Sequence, residues 1–271
     1  MANSTFIEDL VHTLFNTIHD YEDISTVKTL SLVCREWRAI SIPFIFRQIN
    51  VSSELSLGRL ASFLAQNPGI IPLIRILVVH PRDENSLMQP SAWVSQIPSR
   101  LSSLTDKLEQ IKFVGLFEYG LYMGGNFATR LSEFTSVHTL ALHDCWIDLA
   151  VMQGLIAALP SLRGFSADRM LLYPPGPHPD VEILYLFNPR LVSVSISFTL
   201  AYANSLEILL QWLATSDSRE TMRSFMSSVR PHDGAAMRQF LLDVGPRLEE
   251  LRLHVGVNPL EDNRTSLCEF G

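Results

Sequence analysis

Lysine is the scarcest charged residue: only Lys28, Lys107 and Lys112 stand among 21 cations, the rest being arginine. Charge as a whole is thin, at 18% of 271 residues with a formal net charge of -7. That excludes a solvated coiled coil and gives nothing for a phosphate backbone to grip, so nucleic acid is not an expected partner. Cysteine is limited to Cys34, Cys145 and Cys268, with no C-x-x-C spacing, which argues against a disulfide framework or a structural zinc and for a reducing compartment, the cytoplasm or nucleus. Long apolar runs are missing too. The longest, Gly69 to Val79, contains Pro72 and Arg75 and is too short to span a bilayer, so no membrane partner is expected. At the N-terminus Glu8 and Asp9 stand where a signal peptide is apolar.

Motifs for chemistry are equally sparse. No glycine-rich loop ends in Lys-Ser or Lys-Thr, and there is no G-x-S-x-G or H-E-x-x-H. His138 and His143 stand five apart on an expected strand, on opposite faces, and do not read as joint metal ligands. No catalytic residue, metal or cofactor is expected. The proline-rich stretch Tyr173 to Pro179 reads as a stiff exposed loop.

What is present is 47% apolar sequence, patterned in two ways. In the first fifty residues Leu10, Val11, Leu14, Phe15 and Ile18 recur at helical spacing. A second helix is expected from about Ser25, with Val27, Leu30, Cys34 and Trp37 on one face and Pro43 as its stop. Cys34 there reads as a small buried hydrophobe.

After residue 50 a template repeats: an apolar residue, two variable ones, an apolar residue, one variable one, and an apolar or small residue. It fits Ile74/Leu77/Val79, Leu108/Ile111/Phe113, Val137/Leu140/Leu142, Leu162/Phe165/Ala167, Leu191/Val194/Ile196 and Leu248/Leu251/Leu253. A poor seventh match, Met222/Phe225/Ser227, fills the one long gap. Helical candidates lie between the strands, at 57–65, 92–101, 127–134, 149–159, 206–213 and 235–244. A helix before every strand at a period of about 28 residues is the signature of a leucine-rich-repeat solenoid, since one strand and one helix bury their apolar faces only by stacking on further copies. A doubly wound α/β sheet shares the alternation and remains an alternative. An enzyme on that fold would need a closed pocket of converging polar groups.

The stretch Leu30 to Arg38, LSLVCREWR, with a helix before it and Pro43 to Phe46 after it, resembles an F-box, whose last element is a Ser-x-Val-Cys-x-x-Trp segment matched here by Ser31, Val33, Cys34 and Trp37. The opening departs from the family, with Phe6 and Ile7 where Leu-Pro is usual. The resemblance implies an α/β chain built as a small all-α F-box module over residues 1–50 and an irregular leucine-rich-repeat-like solenoid with a parallel sheet over 51–271. It implies a non-catalytic substrate receptor: the module docks on a Skp-family adaptor of a cullin-RING ubiquitin ligase and the repeats hold a target protein. Adaptor contacts would be Phe6, Ile7, Leu10, Leu14, Leu32, Val33, Cys34 and Trp37. Among residues facing outward between the apolar strand positions, Lys112, His143, Asp168, Glu250, Arg252 and His254 are the expected target contacts. A repeat scaffold that joins no ligase is the other reading. The scarcity of lysine suits a protein working beside ubiquitin transfer, but codon bias is the favoured explanation. Residues 261–271 read as an uncapped tail, whereas a solenoid usually closes on a polar capping element, and the sequence leaves open whether more chain follows Gly271.

Overall fold

The computed structural model describes residues 13–14, 24–80, 92–116, 130–173, 188–201, 205–230 and 233–255. The expected second helix is two. Helix α1 (Ile24–Leu30) closes in a turn where Ser31 Oγ donates to the Lys28 carbonyl at 2.6 Å and the Leu32 amide to the Thr29 carbonyl at 3.1 Å. Cys34 then adopts an extended backbone and caps α2 (Arg35–Arg47), its Sγ accepting from the Trp37 amide at 3.5 Å. The thiol is therefore an exposed cap, not a buried hydrophobe. Pro43 lies inside α2 and does not stop it. A proline there costs a helix about 3 kcal/mol, which is offset because Phe44 and Ile45 beside it pack with Leu30, Trp37 and Ile40 around the fully buried Val27.

Helix α2 runs directly into strand β1 (Gln48–Val51), so the division expected at residue 50 falls within a strand. The remaining strands are β2 (Ile76–Val79), β3 (Gln110–Val114), β4 (Thr139–His143), β5 (Trp146–Asp148), β6 (Gly164–Tyr173), β7 (Ser193–Ala201), β8 (Ser224–Val229) and β9 (Glu250–Val255). They form one parallel sheet in the order β1-β2-β3-β4-β6-β7-β8-β9, with β5 beside the far half of β6. The order follows the chain without the reversal that defines a doubly wound sheet.

Register explains why the template recurs. Its middle positions form one row across the sheet, Leu77, Ile111, Leu140, Phe165, Val194, Phe225 and Leu251. The last positions form the next row, from Val79 to Leu253. The poor match Met222/Phe225/Ser227 is thus a full rung. A further rung went unread: Phe46, Ile49 and Val51 fit the template, and β1 pairs in register with β2 through Ile49 and Leu77.

Helices α3 (Glu54–Gln66), α4 (Ile97–Arg100), α5 (Leu149–Ala158), α6 (Ser205–Thr215), α7 (Ser218–Thr221) and α8 (Gly234–Val244) join the strands. Leu57, Leu64, Met152, Leu155, Leu209 and Phe240 from these helices share one core with the two strand rows. Alternate strand residues point the other way, so one face of the sheet is buried and most of the other meets solvent. Helix α5 is apolar on every side but for Gln153 and is buried at every position but Ala150. Its start is fixed by Asp148, whose Oδ1 accepts from the Ala150 amide at 2.5 Å. Among the described residues no helix is long and apolar enough to cross a membrane.

Candidate binding surfaces

The turn between α1 and α2 presents apolar side chains to water. Leu32 is 82% exposed and Val33 63%, and Cys34 is exposed beside them. The turn leaves them no alternative, because α1 ends at Leu30 and the cap at Cys34 holds the chain extended. Trp37 is half-buried against Val27 and so shares its ring between the unit's own core and its surface. Leu14 is also exposed. Phe6, Ile7 and Leu10 lie outside the described residues. Beside the turn, hydrogen bonds from its own backbone N–H and then from the Cys34 thiol hold the Glu36 carboxyl below its ordinary pKa.

The second surface is the open face of the sheet. Its middle row runs Val78, Lys112, Ala141, Ser166, Ser195, Met226 and Arg252. The expected target contacts do not gather into one cluster there but fall into three. On β3, Lys112 stands near His80, which follows β2; the imidazole is held below its ordinary pKa, first by burial and then by the Lys112 cation. On β9, Arg252 reaches Glu250 at 2.5 Å, and Ser224 Oγ donates to the same carboxylate at 2.9 Å. These contacts, Ser224 first, lower the Glu250 pKa. His254 lies two residues on and is exposed.

His143 and Asp168 are brought together from different strands. They are register partners on β4 and β6, with Nδ1 and Oδ2 3.1 Å apart. Arg169 completes the group, its Nη2 2.8 Å from His143 Nε2 and 2.7 Å from Asp144 Oδ2. Asp144 and Arg169 have left-handed backbones, with φ of 52° and 53°, and Gly115, one strand earlier at the same level, has φ of 69°. The chain therefore turns left-handed at one level on three neighbouring strands, just past the ends of β3 and β4 and within β6, where the register with β7 shifts. Sequence reading missed His80, Asp144 and Arg169. Gly115 was the available signal, since a glycine closing one strand marks a turn that the following strands repeat with other residues.

Behind this group Cys145 is buried, its Sγ donating to the His143 carbonyl at 3.2 Å, and desolvation pushes the thiol up to about 11. A thiol held neutral is no nucleophile at neutral pH. Among the described residues no three His, Cys, Asp or Glu side chains are placed to share a metal ion. On the buried side of the sheet a cavity of about 400 Å³ lies between α6 and α8, floored by Leu210 and Phe240 and rimmed by Glu207, Gln211 and Asp243. A scan against protein-family models finds no match to this chain, and a comparison with curated proteins finds no relative.

Proposed function

We propose that the chain is the target-binding subunit of a Skp/cullin/F-box ubiquitin ligase, with the α1–α2 unit as F-box and the strand-and-helix repeats as a leucine-rich-repeat-like solenoid. In this reading it works in the cytoplasm or nucleus and performs no chemistry itself: the ligase brings ubiquitin to a protein held on the open sheet face. The observation that carries the reading is the exposure of Leu32 and Val33. They occupy the positions that the F-box resemblance assigns to the adaptor, and two neighbouring apolar side chains at 82% and 63% exposure are an anchor without a pocket. Burying the pair against an adaptor would contribute roughly 3–6 kcal/mol before the costs of association.

Pull-down with a Skp-family adaptor tests this. The wild-type chain is expected to bind, and L32D with V33D to lose binding while keeping its far-ultraviolet circular dichroism. A wild-type chain that fails to bind, or a double variant that binds undiminished, sinks the ligase reading. The repeat scaffold outside any ligase would then stand, and Phe6-Ile7 in place of Leu-Pro is the feature in its favour.

A further inference from the structure

Among the described residues β9 is the last strand of the sheet, and it differs from the strands before it. Leu251 and Leu253 occupy the two template rows whose earlier members are buried, yet they are 45% and 39% exposed. The backbone edge is open as well. The Glu250 amide donates to the Arg223 carbonyl at 3.0 Å, so in a parallel ladder Glu250, Arg252 and His254 turn their N–H and C=O toward β8. Those of Leu251 and Leu253 turn away from it, and among the described residues no strand meets them. Helix α8 adds to the same end. Gln239, Phe240 and Asp243 line the cavity toward α6, so helical spacing turns Arg238 and the 64% exposed Leu242 away from α6, toward the end of the sheet.

From this we infer that β9 is a self-association edge, which pairs antiparallel with β9 of a second copy of the chain. The charges on β9 say why the occupant is a second copy. An antiparallel pair centred on Leu251 places Leu251 opposite Leu251 of the second copy, with both open backbone groups of each residue hydrogen-bonded across the two-fold axis. In that register Glu250 faces Arg252 of the second copy and Arg252 faces its Glu250. The acid and the base stand two residues apart on one strand, so the edge is its own complement. Each Leu253 reaches the opposing Leu251 diagonally on the core side. The neighbouring register, centred on Arg252, would set two guanidinium groups against each other and is disfavoured. Two edges that would invite indiscriminate strand addition are thereby closed by one another.

Sedimentation equilibrium of the full chain at about 1–100 µM reads the association, over the range of a weak protein dimer. The wild type is expected to populate a dimer. L251D with L253D is expected to weaken it at least 100-fold without altering circular dichroism. E250R and R252E are each expected to weaken it about tenfold, and E250R with R252E to restore it. The charge-swapped variant leaves the leucines in place, so the test survives a double aspartate variant that does not fold. The inference is overturned by a full chain that stays monomeric, by a dimer indifferent to L251D with L253D, or by single charge reversals that the double reversal does not repair. It is equally overturned if only a chain ending at Val255 dimerises, which assigns the edge to residues 256–271. None of these outcomes bears on adaptor docking.

Discussion

His143 and Asp168, register partners on β4 and β6, hold Nδ1 and Oδ2 3.1 Å apart, while Arg169 closes on the opposite ring nitrogen at 2.8 Å. Arginine has only donors, so His143 Nε2 must accept, and the one ring proton sits on Nδ1 facing the carboxylate. Nitrogen-15 correlation spectra of the imidazole near neutral pH are expected to show the Nδ1–H tautomer. R169A is expected to release the ring into a tautomer mixture. The group is exposed enough that D168A should cost only about 0–1 kcal/mol of stability, so a spectral change without unfolding is the readout.

The same repeat position should carry very different weights along the sheet. Leu140 is fully buried in the middle of the ladder, and L140A is expected to cost about 2–5 kcal/mol through lost burial and a residual cavity. Leu251 holds the equivalent position on the last strand but is already half in water, and L251A is expected to cost under about 1.5 kcal/mol. Urea unfolding midpoints at a concentration where the chain is monomeric compare the two.

The described thiols should separate cleanly by reactivity. Exposed Cys34 is expected to take a maleimide within minutes near pH 8, whereas Cys145 reacts only on unfolding. Because burial raises the Cys145 pKa from its ordinary 9.0 to about 11, the folded state favours the neutral thiol. Its contribution to stability is whole below about 9 and is lost as the pH rises through the folded value. C145A is expected to flatten that alkaline loss in pH-dependent thermal melts.

His80 works in the opposite direction. Burial, and after it the Lys112 cation, depress its pKa, so the fold favours the neutral ring. The stability this contributes is present above the ordinary imidazole value of about 6.5 and is lost as the pH falls through the lower folded value. Thermal melts between about pH 7 and pH 5 are expected to lose less ground in H80Q than in the wild type. K112M should recover only part of the difference, since burial is the larger cause.

Ser218 joins two successive repeats through buried hydrogen bonds. Its hydroxyl donates to the Pro189 carbonyl at 2.8 Å and accepts from the Leu191 amide at 3.1 Å. S218A leaves both groups without that partner, and a loss of about 1–3 kcal/mol in denaturant unfolding is expected.

The parallel sheet was legible because a strand flanked by helices carries its register in its apolar spacing, and six rungs share that spacing from Ile74 to Leu253. Met222/Phe225/Ser227 looked weak because a serine in a buried row breaks the hydrophobic pattern, although Ser227 Oγ satisfies itself on the Ser228 carbonyl at 3.2 Å. The rung Phe46/Ile49/Val51 was hidden because its first residue is spent on a helix. The break at Ser31–Val33 was hidden for the reverse reason: Leu30, Cys34 and Trp37 keep helical spacing across a turn that a serine back-bond and a cysteine cap create. At the open face, sequence named His143 and Asp168 as separate residues of one surface. It had no means to foresee that a left-handed Arg169 would bind them into one group, since periodicity carries no information on where a strand is interrupted by a left-handed residue.

The passage from α2 to β1 without an intervening residue has a mechanical consequence. The Arg47 carbonyl ends the helix and accepts from the Arg75 amide at 2.8 Å, and Phe46 stacks on Phe63 of α3 with ring centroids 6.3 Å apart. There is no joint at which the helical unit could swivel against the ladder. A torque applied to the helices is passed to the first rung and through it to the rest. Whatever holds the small unit also decides which way the large face looks.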